Sequence, residues 1–266
     1  VGRARAIQVD IASTRIGLRD PVEVGLVGDS QRTLKQLLPM LEHHPERSFL
    51  EKHQRGMDNW RKILEKQSAC LEAPIRPQMV AWELGKRLPQ NAILACDAGH
   101  LTAWWARYIP ALPGQLHAIS GNLASTGCGL PYAIAAQVAY PERPCVALVS
   151  DSGLAMRMAE FATCVKYRLP IKVILLKSNA YDLSRLDYDP GPGWESSLDL
   201  QPIDFAQYAR ACGGTGLSVV DPAECGYVLD DALEMAGPVL VEVLVDPREA
   251  PLPPRPTASQ AEQLFV

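Results

Sequence analysis

Pro144-Cys145-Val146-Ala147-Leu148-Val149-Ser150-Asp151-Ser152-Gly153 is an apolar run that stops at an acid set between two serines. A second run, Ile171-Lys172-Val173-Ile174-Leu175-Leu176, stops at Lys177-Ser178-Asn179. Continuous Val/Ile/Leu runs of this length, with a helical segment between them, indicate parallel strands covered on both faces. Ligands of such sheets bind beyond the carboxyl ends of the strands. Asp151 and Ser178, 27 residues apart, both stand at that edge.

The same alternation extends outward in both directions. Helices are expected over 79–88, 101–108, 127–140, 156–167, 205–212 and 223–235, and strands over 92–96, 145–149, 171–176, 218–220 and 239–245. The fold class is therefore α/β, a doubly wound parallel sheet over 78–247. Before it, strands over 6–11 and 22–27 and a helix after Asp29 read as the end of a Rossmann-like central domain, because two strands cannot bury a sheet of their own. A charged helix over 49–67 completes this part, and 68–77, with Pro74 and Pro77, is the expected linker. The residues 248–266 form a Pro-rich tail.

Composition narrows the function classes. With 47% hydrophobic residues the chain of 266 can bury a sizeable core, and a net charge of -4 leaves no footprint for nucleic acid. Seven cysteines without a Cys-x-x-Cys argue against a zinc site or a disulfide framework. No apolar run approaches the roughly 18 residues of a membrane span, and a cytoplasmic protein is expected; a membrane-associating peptide following Leu264-Phe265-Val266 stays open. The start at Val1-Gly2-Arg3, without Met, suggests a piece of a longer protein. Gly28-Asp29-Ser30 mimics a serine-hydrolase turn, but every histidine lies at or before His117, and a helix cap explains it better.

Were a phosphate ligand held at this edge through a divalent ion such as Mg²⁺, about six oxygens would surround the ion, one or two of them from carboxylates or carbonyls. Asp151, Ser178 and the carbonyl of Ala180 are the candidate metal ligands. Small residues at Ser152 and Gly153 allow the backbone to approach phosphate, and the helix that follows turns its amides toward it. The plainer alternative is that Asp151 only caps that helix.

Further segments carry a resemblance. Cys96-Asp97-Ala98-Gly99-His100-Leu101-Thr102 is similar to the first diphosphate-contacting turn of thiamine diphosphate-dependent enzymes. Gly127-Cys128-Gly129-Leu130-Pro131 resembles their Gly-x-Gly-Leu-Pro helix start, and the frame from Asp151 to Ser178 resembles their Gly-Asp-Gly and Asn-Asn metal motif. Within that family the bacterial pyruvate oxidases are nearest and the acetolactate synthases next. The resemblance implies thiamine diphosphate contacts at Asp97, Gly99, His100, Ala124, Ser125, Thr126, Asp151, Ser152, Gly153, Lys177, Ser178, Asn179, Ala180, Tyr181, Asp182, Leu183 and Ser184. It implies FAD at Asp10, Mg²⁺ at Asp151, Ser178 and Ala180, a 2-oxo acid substrate such as pyruvate, and a homo-oligomer. The glutamate that activates the cofactor belongs to an N-terminal pyrimidine-binding domain, in the same or another chain, so no catalytic acid or base is assigned here.

Several letters depart from the family pattern. Ser150 and Ser152 replace glycines, and Lys177-Ser178 replaces Asn-Asn. An ammonium about 5 Å from a divalent ion would be repelled by roughly 6 to 7 kcal/mol at an effective dielectric of 20. Lys177 therefore either points away, as strand alternation allows, or contacts the diphosphate and partly replaces the metal. Thr126 stands where the family has a bulky apolar residue that bends the cofactor, which leads to the expectation of poor catalysis. The readings left open are an oxidative decarboxylase, a non-catalytic relative and an acetolactate-synthase-like carboligase.

Overall fold

The computed structural model describes residues 5–43, 45–180 and 200–249. The expected contacts at Tyr181, Asp182, Leu183 and Ser184 lie outside these residues, as does the tail from 250 onward. The chain divides into two compact units, residues 1–58 and 59–266.

In the first unit, β1 (Ile7–Asp10) and β2 (Val24–Val27) pair in parallel, Ile7 opposite Val24 and Asp10 opposite Val27. Helix α1 (Ser30–Leu37) begins at Asp29, whose side chain accepts the Arg32 amide at 2.9 Å. The hydrolase-like triplet is thus a capping turn. No residue of β1, β2 or α1 is buried. Helix α2 (Ser48–Ser68) contains the boundary between the units.

The second unit continues with α3 (Pro77–Arg87), β3 (Ile93–Cys96), α4 (His100–Tyr108), β4 (Leu116–Ala118), α5 (Gly129–Ala139), β5 (Cys145–Ser150), α6 (Asp151–Arg157), α7 (Glu160–Lys166) and β6 (Lys172–Lys177). It ends with α8 (Phe205–Ala211), β7 (Thr215–Val219), α9 (Cys225–Glu234) and β8 (Val239–Leu244). The six strands pair in parallel in the order β4-β3-β5-β6-β8-β7. Alternate residues feed two cores, because strand side chains alternate between faces. Leu94, Leu148, Ile174 and Val241 pack with α3, α4 and α9, while Ala95, Ala147, Leu175 and Leu240 pack with α5 to α8. Such two-sided burial explains why these strands read as continuous apolar runs.

Three expectations need correction. The helix expected over 156–167 is two helices, α6 and α7; at the break the Met158 carbonyl takes the Phe161 amide at 3.0 Å and the Tyr208 hydroxyl at 2.6 Å. The strand expected at 218–220 begins earlier, at Thr215. Gly216 lies there because a Cβ would stand 1.9 Å from the Ala206 carbonyl oxygen, and a glycine hides the strand pattern. In the expected linker, Ile75 is fully buried and forms a parallel bridge with Val245, so this stretch packs as part of the second unit. The edge strand β4, Leu-His-Ala, carries no apolar run and went unforeseen.

Candidate cofactor and metal site

The chain goes from β3 to β4 on one side and then crosses back to place β5 on the other side of β3. This reversal of strand order opens a crevice beyond the strand ends, the usual ligand position in doubly wound sheets. Asp97 follows β3 and Asp151 follows β5, so the crevice lies between the two acids.

Asp97 is wholly buried. Its Oδ1 accepts the amides of Gly127 at 2.7 Å, Ala98 at 3.0 Å and Cys128 at 3.1 Å, which ties the loop before α5 to the end of β3. Its Oδ2 has no hydrogen-bond partner. Burial pushes the Asp97 carboxyl above its ordinary range, against the opposing pull of those amides. The tied loop carries Ala124, Ser125 and Thr126, all exposed, with Ala124 in the left-handed region at φ 48. Such strain in a non-glycine residue gathers at functional sites.

Ser150, not Asp151, caps α6: its Oγ accepts the Gly153 amide at 3.2 Å and lies 3.2 Å from the Ser152 hydroxyl. The Asp151 carboxylate instead reaches across to β6. Oδ2 accepts the amides of Asn179 at 2.6 Å and Ser178 at 3.1 Å, while Oδ1 accepts that of Ser152 at 2.9 Å. Charge-assisted bonds of this kind fix the backbone that follows β6. There the Ser178 hydroxyl donates to the Ala180 carbonyl, 3.1 Å away, and Asn179 takes φ 55.

These distances test whether Mg²⁺ fits. Neighbouring ligands of an octahedral ion at about 2.0 to 2.1 Å stand about 2.9 Å apart. Ser178 Oγ and Ala180 O, held 3.1 Å apart by their hydrogen bond, are near enough for one ion to take both in place of that bond. The donors are all hard oxygens, which suits Mg²⁺ better than softer metals. Among the described residues no group of three or more His, Cys, Asp or Glu side chains could hold a metal.

Lys177 is not part of this set. As the last residue of β6 it shares the face of Val173 and Leu175, and its Nζ lies 3.2 Å from Glu242 Oε1 and donates to the Ile203 carbonyl. The alternative in which it contacts the diphosphate is corrected by this geometry: a buried carboxylate and a carbonyl already hold the ammonium on the other side of the strand. His100 begins α4 after Gly99, at φ 97, and lines a narrow cleft with Trp104, Ser150, Ser178, Asp246 and Glu249. Asp246 and Glu249 follow the carboxyl end of β8, where Asp246 accepts the Arg248 amide at 2.9 Å and Glu249 the Gln78 side-chain amide at 2.7 Å. Asp10 lies in the first unit, where its side chain accepts the Ala12 amide at 2.8 Å.

Residues 97–243 match the family described as thiamine pyrophosphate enzyme, C-terminal TPP binding domain. The chain belongs to that family. The match begins at Asp97 and ends within β8, so it takes in both acids of the crevice. Among its relatives, YdaP of Bacillus subtilis (strain 168), named as a thiamine pyrophosphate-containing protein, is 35% identical over 97% of this chain and 45% of its own length. The pyruvate oxidase of Lactiplantibacillus plantarum is 26% identical over 93% of this chain and 41% of its own. The acetolactate synthase isozyme 3 large subunit of Escherichia coli (strain K12) is 28% identical over 92% and 44%. The chain thus spans less than half the length of these relatives.

Proposed function

We propose that this chain is the diphosphate- and metal-binding part of a thiamine diphosphate-dependent enzyme that oxidatively decarboxylates pyruvate or a related 2-oxo acid, with FAD as electron acceptor. The observation that carries the reading is the oxygen set of Asp151, Ser178 and Ala180 beside the loop that Asp97 grips. When bound, thiamine diphosphate supplies the electron sink for decarboxylation.

Each residue then has a role that follows from its position. Asp151, the Ser178 hydroxyl and the Ala180 carbonyl hold Mg²⁺, and Asp151 also orients the other two through the amides of Ser178 and Asn179. The backbones of Gly99 and His100, and of Ser152 and Gly153, face the diphosphate from the two sides of the crevice. Ala124 to Thr126 bear on the rest of the cofactor. Asp10 contacts the flavin. Substrate activation comes from a pyrimidine-binding domain in the same or a neighbouring chain of a homo-oligomer.

Calorimetric titration of the complete protein with thiamine diphosphate, with and without Mg²⁺, tests the site; no uptake would favour a non-catalytic relative. Flavin absorbance and quinone reduction on addition of pyruvate test the reaction. The likeness to acetolactate synthases supports a second reading, a carboligase, which predicts acetolactate and no quinone reduction.

A further inference from the structure

We infer that Lys177 is a positioning residue for the metal-binding strand end, acting through the backbone that carries Ser178 and Ala180. The inference rests on the reading of Asp151, Ser178 and Ala180 as a Mg²⁺ site.

Lys177 and Glu242 are both buried, with 8% and 7% of their surface exposed. The Lys177 ammonium bridges Glu242 Oε1, at 3.2 Å, and the Ile203 carbonyl, while Glu242 Oε2 accepts the Phe205 amide at 2.8 Å. One ion pair thereby ties three pieces of chain: the end of β6, the middle of β8 and the segment that enters α8. Two backbone bonds strengthen the tie. The Asn179 carbonyl accepts the Leu200 amide, and the Lys177 carbonyl accepts the Val245 amide, each at 2.9 Å.

The next two residues, Ser178 and Asn179, donate their amides to Asp151. The stretch from Lys177 to Asn179 is therefore held at two points, by Asp151 through the backbone amides and by Glu242 and Ile203 through the Lys177 side chain. Only a long cation can meet Glu242 and Ile203 together from this Cα. Removing it leaves the buried Glu242 without its cation and releases one of the two holds on the strand end. Ser178 Oγ and Ala180 O, whose separation suits one ion, then lose their fixed spacing.

Backbone amide exchange of the complete protein without ligand, and calorimetric titration with Mg²⁺ at saturating thiamine diphosphate, are compared for the parent, Lys177→Met, Lys177→Asn and the conservative Lys177→Arg. In the Met and Asn variants exchange should quicken at Ser178, Asn179, Leu200 and Phe205. The Ile93 amide, bonded to Pro144 at 2.8 Å, should keep its rate. Affinity for Mg²⁺ should fall roughly 10- to 100-fold, as for other groups that orient metal ligands without touching the metal. Lys177→Arg, which keeps a long cation able to donate to both Glu242 and the Ile203 carbonyl, should stay close to the parent in both readings. Unchanged exchange at those four amides, a rise that includes Ile93 equally, or an Mg²⁺ affinity within about twofold of the parent overturns the inference. Should Lys177→Met fail to fold, Lys177→Asn against Lys177→Arg gives the same comparison. If the parent takes up neither thiamine diphosphate nor Mg²⁺, the metal-site reading falls, and exchange alone decides whether Lys177 positions the strand end.

Discussion

A methyl group at Gly153 would stand 1.8 Å from Oδ2 of Asp97, so the first turn of α6 packs its backbone directly against the buried carboxylate that follows β3. The two sides of the crevice therefore meet at a position where only hydrogen fits. Gly153→Ala should destabilise the complete protein by about 1 to 3 kcal/mol through overpacking. In denaturant titrations the double variant with Asp97→Ala should lose less than the sum of the single losses, since the clash needs both residues. Strict additivity would refute the contact.

Asp97 should also impose a pH dependence. Burial raises its carboxyl from the ordinary 3.8, so the native state binds this proton more tightly than the unfolded chain. Its contribution to stability is full below that value and declines as pH rises through the native value. Asp97→Asn should flatten the decline of stability that begins as pH rises past 3.8, and equal slopes in the two proteins would count against burial as the cause.

Asp151→Ala deletes the acceptor of three backbone amides, those of Ser152, Ser178 and Asn179. Leaving these donors without their partner should cost on the order of 1 to 3 kcal/mol. Calorimetry should show Mg²⁺-dependent uptake of thiamine diphosphate abolished. Uptake at the parent's affinity would remove Asp151 from the metal site.

Lys172, at the amino end of β6, is buried and donates to the carbonyls of Met235 and Gly237, which follow α9. Burial lowers it from 10.5 to about 8. Between these values the unfolded chain holds a proton that the native protein releases, so stability should rise with pH across that window. Lys172→Met should abolish the rise, as followed by thermal denaturation at fixed ionic strength.

Thr126 is exposed on the loop tied to Asp97, so Thr126→Met should change stability by less than about 0.5 kcal/mol. In the complete protein turnover should increase, because added bulk there favours the bent cofactor. A steady-state assay showing no change would remove Thr126 as a determinant of turnover.

Legibility differed from element to element. β5 and β6 could be read directly, since burial on both faces makes each a continuous apolar run. β4 could not, because an edge strand of three residues paired on one side needs no such run. The capping alternative for Asp151 could not be decided from spacing either. Ser150 and Asp151 are both good capping residues, and the choice depends on amides at Ser178 and Asn179, in another strand's loop.

The residues by themselves determined the kind of chemistry: an acid and oxygen donors at the ends of apolar runs, where strand burial stops and backbone becomes accessible to a ligand. They also carried the family frame from Asp97 to β8. Tertiary structure alone decided that β3 and β5 are neighbours, which makes Asp97 and Asp151 the two walls of one crevice, because parallel pairing joins strands remote in the chain. It also decided the direction of Lys177. That side chain follows a carboxylate on β8, 65 residues further along, and no local pattern could have named its partner.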